Sequence, residues 1–173
     1  KKSRKLGFYF EVQRLPSNAS EEKILTVIRQ LNEFDRIHGI MVQLPLPEHV
    51  NEEVVIEAID PEKDVEGIHP INMGKLFSDE IGYPPCTAQS IIQMIDFTGQ
   101  PANGKTAVVI GRSNIVGKPL SLLLLRRNAS VSVCHSYTSD LPDICRQADI
   151  LVSATGKPGL VRGDWVKPGA MVI

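Results

Sequence analysis

Ala107-Val-Val-Ile-Gly111-Arg-Ser-Asn-Ile-Val-Gly117-Lys-Pro119 decides how the chain folds. An apolar run enters a glycine turn, and the turn opens a helix that continues through Arg127. Strand, glycine turn and helix in this order begin a strand–helix–strand crossover, the repeating unit of parallel α/β sheets. The first N–H groups of a helix have no partner within it, and the helix dipole adds partial positive charge at the same place. The segment therefore predicts an anion-holding turn, with a dinucleotide as candidate ligand. Its spacing departs from Gly-x-Gly-x-x-Gly: the three positions read Gly111, Ser113 and Val116, and the next glycine is Gly117.

The alternation continues on both sides. Downstream lie a strand over 130–134, a helix over 141–147, a strand over 149–154 and a last strand ending at Ile173. Upstream, residues 8–15 and 39–44 read as strands, the second ending in Pro45-Leu-Pro47. Between them Ser20-Glu-Glu supplies an N-cap and first-turn acids for a helix carrying Ile24, Val27, Ile28 and Leu31 at helical spacing. Short helices follow at 52–59 and 87–98, the latter with Ile91, Ile92 and Ile95 inward. Residues 60–79 are rich in charge, Gly and Pro, carry little periodicity, and mark a lobe boundary. The fold expected is α/β in two lobes, residues 1–85 and residues 86–173, the second built on a parallel sheet. Lys1-Lys-Ser-Arg-Lys-Leu-Gly7 reads as the end of a helix closed by glycine, and Gly169-Ala-Met-Val-Ile173 as the opening of a buried strand. Both lobes are accordingly expected to be truncated.

The 173 residues include 42% apolar ones, enough for a packed core, and 20 acidic against 19 basic residues leave a net charge of −1. That balance excludes nucleic acid and a membrane surface as main partners. The apolar run 120–125 stops at Arg126-Arg127, far short of the ~20 residues of a membrane span. Cys86, Cys134 and Cys145 fit neither a disulfide framework nor a zinc spacing, which points to a reducing compartment. The expected location is cytoplasmic, an organelle such as the mitochondrion being also compatible. Cys134 alternates with apolar neighbours and reads as core. His38, His49 and His69 share no metal-binding spacing, so no metal site is expected.

In a nicotinamide-binding unit the end of the second strand selects the cofactor: an acid there binds free ribose hydroxyls, and cations or donors accept a phosphate. That strand ends Cys134-His135-Ser136-Tyr137-Thr138 with no acid, and Arg112 stands beside the glycine turn. Arg can form a forked pair with phosphate and Ser can donate a hydroxyl hydrogen bond to it. The pattern favours NADP over NAD. The same residues also fit a solvated loop and a capped strand end. Gln43 follows an apolar run at the C-terminal end of an expected parallel strand, where α/β sheets bind ligands. Its carboxamide could hold a substrate edge or a water, or satisfy loop backbone groups. In Lys63-Asp64-Val65-Glu66-Gly67 two acids are separated by one residue, and one of them is expected to serve a given pocket. Such an acid could bind an N–H-rich heterocycle, transfer a proton, or be solvated.

Five ordered segments carry a resemblance that covers nearly the whole chain: Val42-Gln-Leu-Pro-Leu-Pro47, Pro61-Glu-Lys-Asp-Val-Glu-Gly67, Pro85-Cys-Thr87, Val109-Ile-Gly-Arg-Ser-Asn-Ile-Val-Gly-Lys-Pro119 and Ala154-Thr-Gly-Lys-Pro158. Together they resemble the bifunctional methylenetetrahydrofolate dehydrogenase/methenyltetrahydrofolate cyclohydrolase family. The resemblance implies a catalytic lobe and a Rossmann-like NADP-binding lobe with a folate cleft between them, in a homodimer. It implies NADP-dependent oxidation of 5,10-methylenetetrahydrofolate and hydrolysis of the product to 10-formyltetrahydrofolate, within one-carbon metabolism and purine biosynthesis. Gln43 would assist the hydrolytic step, with Leu44 and Pro45 beside the substrate, and Glu66 would hold the pteridine through its N–H groups. Gly111, Arg112 and Ser113 would form the phosphate turn. Arg112, His135 and Ser136 would lie at the 2′-phosphate end, with Thr87, Thr155 and Gly156 near the nicotinamide. The alternatives are a Rossmann-type dehydrogenase acting on another small substrate and a non-catalytic folate- or dinucleotide-binding protein.

Three departures from the family pattern stand out. Glu66 occupies a place where Asp is usual, putting the carboxylate one methylene further out. Ala88 follows Pro-Cys-Thr where Pro is usual, which would loosen that loop. The family's catalytic Tyr and Lys fall before residue 1 when counted back from Gly7, so this stretch alone is expected to show negligible cyclohydrolase activity.

Overall fold

The run Ala107 to Ile110 offers no polar side, as suits a strand covered on both faces. It forms β1 (Thr106–Ile110), one of the two inner strands of a four-stranded parallel sheet completed by β2 (Ser130–Cys134), β3 (Ile150–Ser153) and β4 (Met171–Val172), in the order β2–β1–β3–β4. This computed structural model describes residues 2–80 and 82–173. Parallel strands need crossovers, supplied by α6 (Gly117–Arg126) between β1 and its neighbour β2 and by α7 (Leu141–Arg146) on the way from β2 past β1 to β3. The strand period of two then sorts the core. Ala107, Val109, Ile150 and Val152 pack with Leu120 and Leu124 of α6 and with Ile92 and Ile95 of α5 (Cys86–Phe97). Val108, Ile110 and Leu151 pack on the other face with Cys134, Cys145 and Ala148, flanked by Trp165. Burial raises the thiol pKa of Cys134 and of Cys145 above the ordinary value.

The stretch expected to be irregular contains α4 (Pro70–Phe77). Its entry is set locally: Pro70 stands in the first turn, and the His69 ring Nδ1 accepts the Ile71 N–H at 3.1 Å. Eight residues give helical periodicity little room to register in sequence. Arg126 closes the far end, its Nη2 donating to Leu76 O at 2.8 Å while its Nε pairs with Asp79. Ala88 lies in the first turn of α5, fully buried, so the helix rather than a loop holds it. The Ala88 N–H donates to no described residue, so Ala in place of Pro gains no hydrogen bond among them.

Contacts group the chain as two units, Lys1–Lys63 and Asp64–Ile173, so residues 64–85 go with the sheet. The first unit holds α1 (Lys2–Lys5), α2 (Glu21–Glu33) and α3 (Glu52–Glu57). Ser20 caps α2, its side chain accepting the Lys23 N–H at 3.3 Å, and Leu25 and Ile28 pack with Ile40, Val50, Val55 and Ile59. The expected strands at 8–15 and 39–44 form no ladder with each other. Ladder pairing, not apolar content, makes a strand, and here Val12, Leu15, Ile40 and Val42 line a groove of about 530 Å³ against α2.

Candidate functional site

Register puts the ends of three strands at one edge, since Ile110 is opposite Cys134 on one side and Ser153 on the other. Gly111 N–H donates to Cys134 O and Ala154 N–H to Ile110 O, each at 2.8 Å, and these bonds hold the turns together. Gly111 has φ +125°, and a Cβ there would come within 2.5 Å of Ala154 O. A Cβ on Gly117 would come within 2.1 Å of Gly111 O. The two glycines thus let turn and helix close on one another. Ser113, standing where the common fingerprint has glycine, uses its hydroxyl: Oγ accepts the N–H groups of Val116 at 3.2 Å and Gly117 at 3.4 Å. The N–H groups of Arg112, Ser113, Asn114 and Ile115 donate to no described residue. They form an exposed row of donors before the helix, the arrangement an anion requires.

The turn after β2 faces this row. Arg112 Cζ lies 5.9 Å from the centroid of the exposed Tyr137 ring, and the His135 and Tyr137 rings meet edge-on at 6.1 Å. His135 Nδ1 accepts the Tyr137 N–H at 3.2 Å, which places the neutral ring's proton on Nε2 as a donor. Ser136 is exposed next to it. Thr155 Oγ1 accepts the Lys157 N–H at 3.3 Å, and Gly156 beyond β3 is open. Gly111, Arg112, Ser113, His135, Ser136, Thr155 and Gly156 therefore share one sheet edge, and no acid stands among them.

Asp64 and Glu66 have different surroundings because the chain bends over residues 65–67, whereas an extended run would put residues two apart on one face. Asp64 is 1% exposed, and its carboxylate accepts the N–H groups of Glu66, Gly67 and His69 and the Asn72 amide. Glu66 is half-buried, and no described residue donates to its carboxylate. Burial, and then the Asp64 charge, raise its carboxyl pKa above the ordinary value. Cys86 fastens this loop to α5, its N–H donating to Glu66 O and its Sγ to Val65 O, both at 3.3 Å. Thr87, exposed in the first turn of α5, is the next residue. His69 reads as structural in the sequence but without a stated role, and Asp64 carries none there; His-Pro opening a helix is the sign that could have revealed the cap.

In the first unit Gln43 is exposed, its Nε2 donating to Leu44 O at 3.2 Å, and the Leu44–Pro45 peptide is cis. The carboxamide oxygen has no partner among the described residues. One function of Gln43 is thus the local backbone bond, with acceptor capacity left over.

A parallel sheet whose central strand ends in a glycine turn, with donors and an arginine at that edge, defines a dinucleotide-binding α/β protein. The catalytic-domain model of the tetrahydrofolate dehydrogenase/cyclohydrolase family matches residues 1–66, and its NAD(P)-binding-domain model matches residues 85–173. The chain belongs to this family. It is 51% identical over 173 residues to the bifunctional protein FolD of Listeria innocua, covering all of this chain and 61% of that protein. It is 52% identical to the Halothermothrix orenii protein of the same name, covering 62% of it. The chain thus spans about three fifths of the curated relatives it matches. Among solved structures, the Trypanosoma brucei dehydrogenase–cyclohydrolase, complexed with NADP cofactor and inhibitor, has a TM-score of 0.93 at 40% identity, covering 98% of this chain and 59% of that one. The silkworm 5,10-methylenetetrahydrofolate dehydrogenase gives 0.94 at 39%, covering 98% and 63%. The family match does not favour a dehydrogenase of unrelated substrate.

Proposed function

We propose that the whole protein oxidises 5,10-methylenetetrahydrofolate with NADP and hydrolyses the resulting 5,10-methenyltetrahydrofolate to 10-formyltetrahydrofolate, in one-carbon metabolism and purine biosynthesis. The observation that carries this reading is the ordered match of both family domains, together with Arg112 and Ser136 where an NAD-type acid would stand.

Residues 86–173 are read as the NADP-binding lobe and residues 1–85 as the folate-binding catalytic lobe. The unpaired N–H groups after Gly111, including that of Ser113, take the pyrophosphate, while Arg112, Ser136 and His135 Nε2 take the 2′-phosphate. Thr87, Thr155 and Gly156 border the nicotinamide. NADP, when bound, supplies the hydride acceptor. Glu66 accepts N–H groups of the pterin, and its raised pKa lets it share a proton with the ring. Gln43, with Leu44 and Pro45 beside the substrate, orients the water whose oxygen adds to the methenyl carbon. The bond from that carbon to N5 then breaks, and N5 takes a proton.

The resemblance further supports a homodimer, and three cysteines that fit neither a disulfide framework nor a zinc spacing favour a cytoplasmic location. No helix among the described residues is long and apolar enough to cross a membrane. The test is an assay of the whole protein with NADP and 5,10-methylenetetrahydrofolate. NADPH absorbance is expected to rise only with both present; a correctly folded protein giving no rise overturns the reading.

A further inference from the structure

The Asp64 carboxylate accepts four hydrogen bonds from described residues. Its Oδ1 accepts the Glu66 N–H at 3.2 Å and the Gly67 N–H at 3.0 Å, and its Oδ2 accepts the His69 N–H and the Asn72 Nδ2, each at 2.9 Å. Three backbone N–H groups and one side-chain amide thus converge on one buried carboxylate, a charge-assisted set stronger than neutral hydrogen bonds. No salt bridge partners Asp64 among the described residues, so these donors are what make its burial tolerable. Gly67 closes the same loop against the chain before α5: a Cβ there would lie 2.2 Å from Tyr83 O. Glu66 sits between the residue that anchors the loop and the glycine that docks it.

We propose that Asp64 is a positioning residue: its buried carboxylate, through the N–H groups of Glu66, Gly67 and His69 and the Asn72 amide, fixes the direction in which the Glu66 carboxylate is presented to the pterin. The inference rests on the reading of Glu66 as the pterin-holding acid. Loop 64–67 is rigid because it is tied at both ends, to Asp64 on one side and through Cys86 to α5 on the other. The extra methylene of Glu66 makes this matter more, since a longer arm has more rotamers to lose on meeting a ligand. The titratable groups on the loop and on the segments that touch it include Asp64, Glu66, Lys63 just before the loop, His69 at the start of α4, Tyr83 before α5 and Cys86 at the start of α5.

The experiment compares the whole protein with Asp64→Asn, Asn72→Ala and Glu66→Gln. Amide hydrogen exchange is read at Gly67 and His69, the Glu66 carboxyl is followed by carbon NMR across pH, and tetrahydrofolate affinity is measured. In Asp64→Asn, exchange at Gly67 and His69 is expected to rise at least tenfold with β1 and β3 still protected. The Glu66 titration is expected to move toward the ordinary carboxyl range, and tetrahydrofolate to bind about tenfold more weakly. Because the Asp64 charge itself raises the Glu66 carboxyl, Asp64→Asn moves that titration in any case. A merely structural Asp64 would leave the tetrahydrofolate affinity in place once the protein is folded, and would leave the Glu66 titration in place in Asn72→Ala, which keeps the charge. If Asp64→Asn does not fold, Asn72→Ala, which keeps the charge and removes one donor, must show the same direction of change in exchange. A folded variant with unchanged exchange, unchanged Glu66 titration and unchanged affinity overturns the proposal. The exchange and titration need no ligand, so they fail separately from the reading of Glu66: that reading fails if Glu66→Gln binds tetrahydrofolate as wild type does.

Discussion

Gly117 shows how far a single residue can be read. The glycine turn was legible from Gly111 onward, but the reason for Gly117 lies in the 2.1 Å approach of its hypothetical Cβ to Gly111 O, which no local pattern reports. The obstacle is backbone, which cannot swing aside as a side chain can. Gly117→Ala is therefore expected to open the turn and weaken NADP binding at least tenfold while strand protection in hydrogen exchange persists; calorimetric titration with NADP checks it. Glu66 is the other informative residue. Its carboxyl is raised by burial and by Asp64, so the folded state holds the proton more readily than the unfolded one. Its contribution to stability is then greatest below the unfolded pKa and declines as pH rises through the raised folded value. Glu66→Gln should raise the melting temperature at about pH 7 and change it little at about pH 4, where the native carboxyl is already protonated. A melting series across pH decides this, and equal shifts at both ends would contradict it.

At the scale of elements, periodicity served where a partner was local and failed where it was not. The helices at 21–33 and 86–97 and the strands of the parallel sheet follow from apolar spacing, caps and the crossover rule. The segments 8–15 and 39–44 have strand-like composition, yet a ladder depends on a second strand at the right place, and sequence does not state where that strand is. The short α4 escaped because its entry depends on His69 and Pro70 and its closure on the distant Arg126. The helix–sheet contact is the element with most to lose. Leu120 is 0% exposed in the cluster between α6, α5 and the sheet, so Leu120→Ala leaves a cavity there. It should cost about 2–5 kcal/mol, measurable as a lower denaturation midpoint with an unchanged slope.

Across the whole molecule, the candidate NADP edge was legible almost residue by residue, because parallel topology delivers every strand end to the same side. The tie at the opposite end of the sheet was not, since Asp149 gathers Lys167 Nζ at 2.6 Å and the Thr106 N–H at 3.0 Å from far along the chain. Those two hydrogen bonds lower its carboxyl pKa below the ordinary value. A lowered carboxyl stabilises the fold above the unfolded pKa and ceases to do so as pH falls through the folded value. Asp149→Asn should therefore flatten the acid limb of the stability curve below about pH 4, read by melting temperature against pH. The central claim, that the edge around Gly111 is built for NADP, is tested most directly by titrating this chain with NADP and with NAD under identical conditions. The account predicts that NADP binds at least tenfold more tightly and that Arg112→Ala removes most of that preference. Equal affinity for the two cofactors, or tighter binding of NAD, would contradict it.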